Sequence, residues 1–261
     1  MHKLTSCGIT DIGKKRQKNE DSYLVNDKLR LYIVADGMGG HAGGEFASKI
    51  AVSTVEEILK GEDKKNVPPN SYLENREGED VLETERLREA IARAGSKICQ
   101  RSVDEPELRG MGTTATVLLF HGDKAYLAHV GDSRGYCFRD TNIYQLTEDH
   151  SLVHEQLKSG LITEDEAKSH QLKNIITRSV GVQEEVEVDT IVWPAKNGDK
   201  YLLCSDGLSN MVSDLEIKDI VNRYSIENGA KILVDLANER GGDDNISLIL
   251  VKVDEVEEKK K

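Results

Sequence analysis

The stretch that decides the fold is Thr113-Thr114-Ala115-Thr116-Val117-Leu118-Leu119-Phe120, then His121-Gly122-Asp123, then Lys124-Ala125-Tyr126-Leu127-Ala128-His129-Val130. Two runs of β-branched, aromatic and apolar residues flank a short connection containing glycine, the pattern of a hairpin. So short a connection cannot hold the crossover that parallel strands require, so the pair is antiparallel. Gly135 to Arg139 is a third β-rich run, reached through the turn Gly131-Asp132-Ser133-Arg134. Further strands are expected at Leu29 to Ala35, Glu185 to Val192, Lys200 to Cys204 and Ile246 to Val253. Helical stripes separate them: Phe46, Ile50, Val55 and Ile58 within Glu45 to Leu59, then Leu87, Ile91, Ala94 and Ile98 within Leu82 to Gln100. Ser213-Asp214-Leu215-Glu216 reads as a capping box, and another helix spans about Gly229 to Arg240. A doubly wound parallel sheet would need a helix after nearly every strand, so the pattern reads as α+β.

Bulk properties narrow the function. The chain has 261 residues, 38% of them hydrophobic and 31% charged, and a formal charge of −12. That charge argues against a nucleic-acid partner, which demands a basic face. No apolar run reaches the roughly 18–20 residues of a membrane-spanning helix. Met1-His2-Lys3-Leu4-Thr5 has no apolar stretch behind it, so a cytoplasmic location without membrane insertion is expected. Cys7, Cys99, Cys137 and Cys204 are far apart, which fits reduced packing residues and not a zinc site or a disulfide framework. No repeat or linker divides the chain. A single domain over 1–255 is expected, with a charged surface loop at about 61–80 that contains Pro68 and Pro69, a polar segment at about 150–181, and a frayed basic tail at 256–261. A monomer is the default expectation.

Three strands meet acidic turns: Val34-Ala35-Asp36-Gly37, Leu203-Cys204-Ser205-Asp206-Gly207 and Gly242-Asp243-Asp244-Asn245-Ile246. A fourth acidic turn, Gly131-Asp132-Ser133, lies between two strands. Asp-Gly has a plain use as a turn former. Four such turns can also aim carboxylates from rigid elements into one space at a sheet edge. Clustered carboxylates need cations, and oxygen-only ligation favours Mg²⁺ or Mn²⁺. A pair of such ions suits phosphoryl chemistry.

The ordered motifs resemble the metal-dependent protein phosphatase family, also called protein phosphatase 2C, in its bacterial serine/threonine form. They are Gly13-Lys14-Lys15-Arg16-Gln17-Lys18-Asn19-Glu20-Asp21, Asp36-Gly37-Met38-Gly39-Gly40-His41, Gly110-Met111-Gly112-Thr113-Thr114 and Val130-Gly131-Asp132-Ser133-Arg134. Asp149-His150-Ser151-Leu152, Ile176-Thr177-Arg178, Ser205-Asp206-Gly207-Leu208 and Asp244-Asn245 follow in the family's order. The resemblance implies a four-layer α-β-β-α sandwich of two antiparallel sheets flanked by helices, with the metals at one end between the sheets. It implies two Mn²⁺ or Mg²⁺ ions and a third, weaker one. Asp36 would bridge two ions, the Gly37 carbonyl would hold the second, and Asp206 and Asp244 would complete the first ion's shell. Asp132 with Asp206 would hold the third. Glu20 and Asp21 would orient metal-bound waters, and Arg16 would grip the substrate phosphate. The implied reaction is hydrolysis of phosphoserine and phosphothreonine in proteins by a metal-activated water. A membrane-anchored serine/threonine kinase and its targets would be the partners. Segment 150–181 would correspond to the family's flap beside the site.

Three points stay open at this level. Where many eukaryotic members have a histidine after the first Asp-Gly, this chain has Met38. The leaving-group acid could be His41 or a metal-bound water, and His41 could instead be a hydrogen-bonded residue at a helix start. A catalytically dead, binding-only member is the second reading, although every matching metal position is intact. The third is a dinucleotide fingerprint at Gly37-x-Gly39-x-x-Ala42, which lacks the following strand with its acidic end and leaves Asp206 and Asp244 unexplained.

Overall fold

The computed structural model describes residues 2–39, 43–61, 79–168, 170–172 and 174–254, with 79 and 168 as backbone alone. Gly40, His41, most of the 61–80 loop and the 256–261 tail lie outside the described residues.

In chain order the strands are β1 (Lys3–Asp11), β2 (Ser22–Asn26), β3 (Leu31–Ala35), β4 (Gly37–Met38), β5 (Gly112–Thr113), β6 (Ala115–His121), β7 (Lys124–Val130), β8 (Arg134–Arg139), β9 (Asn142–Gln145), β10 (Asp189–Pro194), β11 (Lys200–Cys204) and β12 (Ile246–Asp254). The α-helices are α1 (Gly43–Leu59), α2 (Glu79–Asp104), α3 (Leu152–Lys158), α4 (Glu164–Lys168), α5 (Asp206–Ser209), α6 (Asp214–Arg223) and α7 (Ile226–Glu239). One sheet has the order β1-β12-β11-β8-β9 and the other β10-β7-β6-β3-β2, both fully antiparallel. Helices α1 and α2 cover the second sheet and α6 and α7 the first. The expected α-β-β-α layering is what forms.

The hairpin of β6 and β7 closes through Gly122-Asp123, with His121 opposite Lys124. Gly122 takes φ +60°, the left-handed region that a tight hairpin turn uses. The expected strand from Thr113 breaks at Thr114, because Gly112 and Thr113 pair instead with β4 as a separate two-stranded ribbon. Expected Glu185–Val192 is found at Asp189–Pro194, where it pairs with β7.

Every residue of β3 is buried. Leu31, Ile33 and Ala35 face the α1–α2 layer, while Tyr32 and Val34 enter the core between the sheets. A strand covered on both faces reads as a continuous apolar run, and that is why no alternation marks Leu31–Ala35 in the sequence. The inter-sheet core also takes Leu118 and Phe120 from β6, Tyr201 and Leu203 from β11, and Ile249, Val251 and Val253 from β12. Strands β1 and β2, which no sequence pattern announced, lie at sheet edges. β1 pairs along its whole length with β12 from the far end of the chain, Lys3 opposite Asp254 and Asp11 opposite Ile246. At the start of α6, the Ser213 amide donates to the Glu216 carboxylate, the reach-back bond of the expected capping box, and the Ser213 hydroxyl donates to the same carboxylate.

Candidate active site

Strand β3 delivers Asp36 to one end of the sandwich. The turn is locked there: the Asp36 amide donates to Thr114 Oγ1 at 2.9 Å, and its carbonyl accepts from the Thr114 amide at 2.8 Å and the Thr113 hydroxyl at 2.9 Å. Thr114 in turn shares a 2.8 Å hydrogen bond with buried Ser133, which follows Asp132. The two aspartate turns are therefore tied through a pair of hydroxyls. Gly37 is required by contact, since a Cβ there would run into the carbonyl oxygens of Gly44 and Glu20.

Asp206 follows β11 and Asp244 precedes β12, neighbours in the first sheet, so both emerge at the same end. Asn210 donates to Asp206 Oδ2 at 2.9 Å. Asn245 fastens the 12–20 loop to this end: its side-chain amide donates to the carbonyls of Ile12 and Lys18, both at 2.9 Å, and its oxygen accepts the Glu20 amide at 2.8 Å. That loop brings Arg16 to Asp244, with Nη2 donating to Oδ2 at 2.6 Å, and half of the arginine side chain remains exposed. It also sets Asp21 into the core at 7% exposure. Ser205 donates to Asp21 Oδ2 at 2.8 Å and accepts from the Ser247 amide at 2.9 Å.

The electrostatics follow from this convergence. Burial pushes the Asp36 carboxyl well above the usual range, and the charges of Asp21, Asp206, Asp132 and Asp244 add to the shift. Asp21 is pushed up to about 7, first by burial and then by Asp206 and Asp244, against the serine hydrogen bonds that favour its charged form. Asp132 is pushed up to about 8 by burial, with Asp206 and Asp149 adding to it. Glu20 is raised by burial, while Arg16 and Lys18 pull it back.

These carboxylates fit divalent cations. The donors are all oxygen, mutual repulsion is what a cation would relieve, and Asp21 Oδ1 is buried with no hydrogen-bond partner. Among the described residues, no three of them close to a common coordination distance. Mg²⁺-type ions keep several waters and take one or two carboxylates each, so a wide spacing suits them.

The expected site residues are thus largely assembled. Asp36, Asp132, Asp206, Asp244 and Asp21 meet at one centre, with Arg16 and Glu20 on its rim. His41 lies outside the described residues. Sequence reasoning assigned no role to Thr114, Ser133, Ser205 or Asn245, although each lies within a quoted motif and the last three adjoin its aspartate. Their adjacency was legible, but their partners, far away in the chain, were not.

Residues 12–239 match the family model described as protein phosphatase 2C. The chain belongs to the protein phosphatase 2C family. Among its relatives in the family, the serine/threonine phosphatase stp of Listeria welshimeri is 41% identical over 247 residues, 93% of each chain. The protein phosphatase PhpP of Streptococcus pneumoniae is 41% identical over 252 residues, 95% of this chain and 96% of its own. The solved structure of the Mycobacterium tuberculosis serine/threonine phosphatase PstP/Ppp superposes with a TM-score of 0.84 at 35% identity, covering 98% of this chain and 100% of that one. A structure of the PstP catalytic domain in complex with two manganese ions gives 0.83 at the same identity and coverage. The four-layer architecture is therefore shared with solved serine/threonine phosphatases. Among the described residues no helix is long and apolar enough to cross a membrane.

Proposed function

We propose that this phosphatase 2C-family chain is a metal-dependent protein serine/threonine phosphatase, with residues 1–255 as its single catalytic domain and a bacterial serine/threonine kinase as its counterpart. The observation that carries the reading is the convergence of Asp36, Asp132, Asp206 and Asp244 at one end of the sandwich, in a chain 41% identical to a named serine/threonine phosphatase. Asp36 and the Gly37 carbonyl, Asp206 and Asp244 are the residues that would hold two Mn²⁺ or Mg²⁺ ions, with Asp132 and Asp206 for a third. Bound there, the ions supply charge neutralisation and an activated water for displacement at phosphorus.

The chain's own residues do the rest. Arg16 presents a guanidinium fork at the open rim, where Nη2 is held by Asp244 and, among the described residues, its other donors are left to take phosphate oxygens in a bidentate grip. Asp21, fixed by Ser205, and Glu20, fixed by Asn245, orient water at the centre. Both anchoring side chains, Ser205 and Asn245, adjoin the rigid strands β11 and β12, so the geometry exists before substrate arrives.

The test is hydrolysis of an aryl phosphate and of a phosphothreonine peptide, with manganese, with magnesium and with chelator. Activity is expected with either ion on both substrates and none with chelator. An Asp206→Asn variant is expected to lose more than about a hundredfold in kcat/KM, since even outer contacts of a metal site are worth roughly 10–100-fold. Activity that survives chelation would sink the reading.

A further inference from the structure

His150 begins the 150–181 segment, and its ring is buried at 6% exposure. Nδ1 accepts the Gly131 amide at 3.1 Å, and the His150 amide donates to the Gly131 carbonyl at 2.7 Å. One residue therefore holds Gly131 by both its amide and its carbonyl. Gly131 lies at φ +113°, where a Cβ would strike the Thr114 side chain, so the turn has no slack toward that side. The next residue is Asp132.

Because Nδ1 must accept, the ring hydrogen sits on Nε2. Nε2 then donates to Asp189 Oδ2 at 3.1 Å. Asp189 Oδ1 takes Arg178 Nη1 at 3.0 Å, and Glu187 flanks Arg178 Nη2 at 3.2 Å. Arg178 Nη1 also stands 3.4 Å from Nε2, which in this tautomer is an approach across the shared carboxylate and not a hydrogen bond. The His150 ring packs on His129 with centroids 4.9 Å apart. His129 is fully buried and pinned by Thr116 Oγ1 and the Glu148 carbonyl. Asp189 lies directly opposite His129 in the β10–β7 ladder, so two paired strands present both the carboxylate and the ring that His150 meets.

We propose that His150 is a positioning residue for Asp132: through Gly131 it fixes where that carboxylate stands, and Asp189 and Arg178 fix His150. It rests on the reading of Asp132 as a holder of the third, weaker cation. Its reach is specific, since neither His150 nor Asp189 belongs to the set assigned to the two tighter ions.

The experiment is titration of Mn²⁺ into the metal-free full chain, with unbound Mn²⁺ counted by its paramagnetic resonance signal. The parent is compared with His150→Ala, His150→Asn and Asp189→Ala. Asp189 is partly exposed, so its truncation keeps the core packing even if His150→Ala folds poorly. The expected result is a loss of about tenfold or more in the weakest binding class for His150→Ala and Asp189→Ala, with the tighter classes unchanged. Asparagine can offer Oδ1 to the Gly131 amide in place of Nδ1, so His150→Asn is expected to stay closer to the parent than His150→Ala. Parent-like binding in both alanine variants overturns the proposal, as does equal weakening of every class, or a parent with no third class. A parent inactive on phosphopeptides would sink the proposed function but leave this binding comparison standing.

Discussion

Arg16 shows what a single residue contributes at the rim. Its guanidinium spans Asp244 and open space, and that geometry calls for a fork and not a point charge. Arg16→Lys keeps the charge and loses the fork. Steady-state kinetics with a phosphopeptide are expected to show KM raised about tenfold or more, in line with the roughly 1.5–3 kcal/mol of a charged hydrogen bond. An unchanged KM would remove Arg16 from phosphate binding. His41 is tested differently. If it donates the proton to the leaving oxygen, His41→Ala slows phosphothreonine hydrolysis far more than aryl phosphate hydrolysis, because an aryl oxygen leaves without help. An unaltered pH–rate profile ends its candidacy.

At the scale of elements, Asn245 ties the 12–20 loop to the start of β12, beside the Arg16–Asp244 pair and the Lys14 and Lys15 amides on the Gly242 carbonyl. Asn245 makes three hydrogen bonds to that loop and is 4% exposed. Asn245→Ala leaves two carbonyls and an amide unsatisfied at a cost of about 1–3 kcal/mol each where water cannot replace the partner. The expected outcome is a lower melting temperature together with weaker phosphate binding, since Arg16 rides on the same loop. Full-strength phosphate inhibition in a destabilised variant would show that the loop holds its place by other contacts. The ribbon of β4 and β5 acts in a similar way, fixing the turn after Asp36 against Thr113 and Thr114.

For the whole molecule, the carboxylate centre opposes folding near neutral pH without cations. Asp21 and Asp132 titrate at about 7 and about 8 when folded, against roughly 3.9 in the unfolded chain. Between those values the folded state holds protons that the unfolded chain has released, so stability falls as pH rises. His129, lowered to about 4 by burial, acts in the opposite sense below its unfolded pKa of roughly 6.5 and is silent above it. The clean window is therefore from roughly pH 6.5 to 8. In chelator the melting temperature is expected to fall across that window, and added Mn²⁺ should raise it by more at the alkaline end, where no protons compete. A metal-free melting temperature that rises from pH 6.5 to 8 would contradict this picture.

The antiparallel hairpin, formed at 115–130, the two long covering helices and the aspartates at strand ends were all legible in the chain before folding. Each is written in local periodicity or in a turn residue that only certain backbones accept. The family was legible too, because its motifs stand in order along nearly the whole chain. Edge strands β1 and β2 were not, since β1 is stabilised by β12 from the far end of the chain and not by its own composition. Folding alone sets Arg16 against Asp244 across 228 positions, lets Ser205 hold Asp21, and closes His150 on the turn before Asp132. Hydrogen bonds between distant residues leave no period in a single sequence, and burial is a property of the packed layers, so the strengths of these groups as acids and ligands arise only on folding.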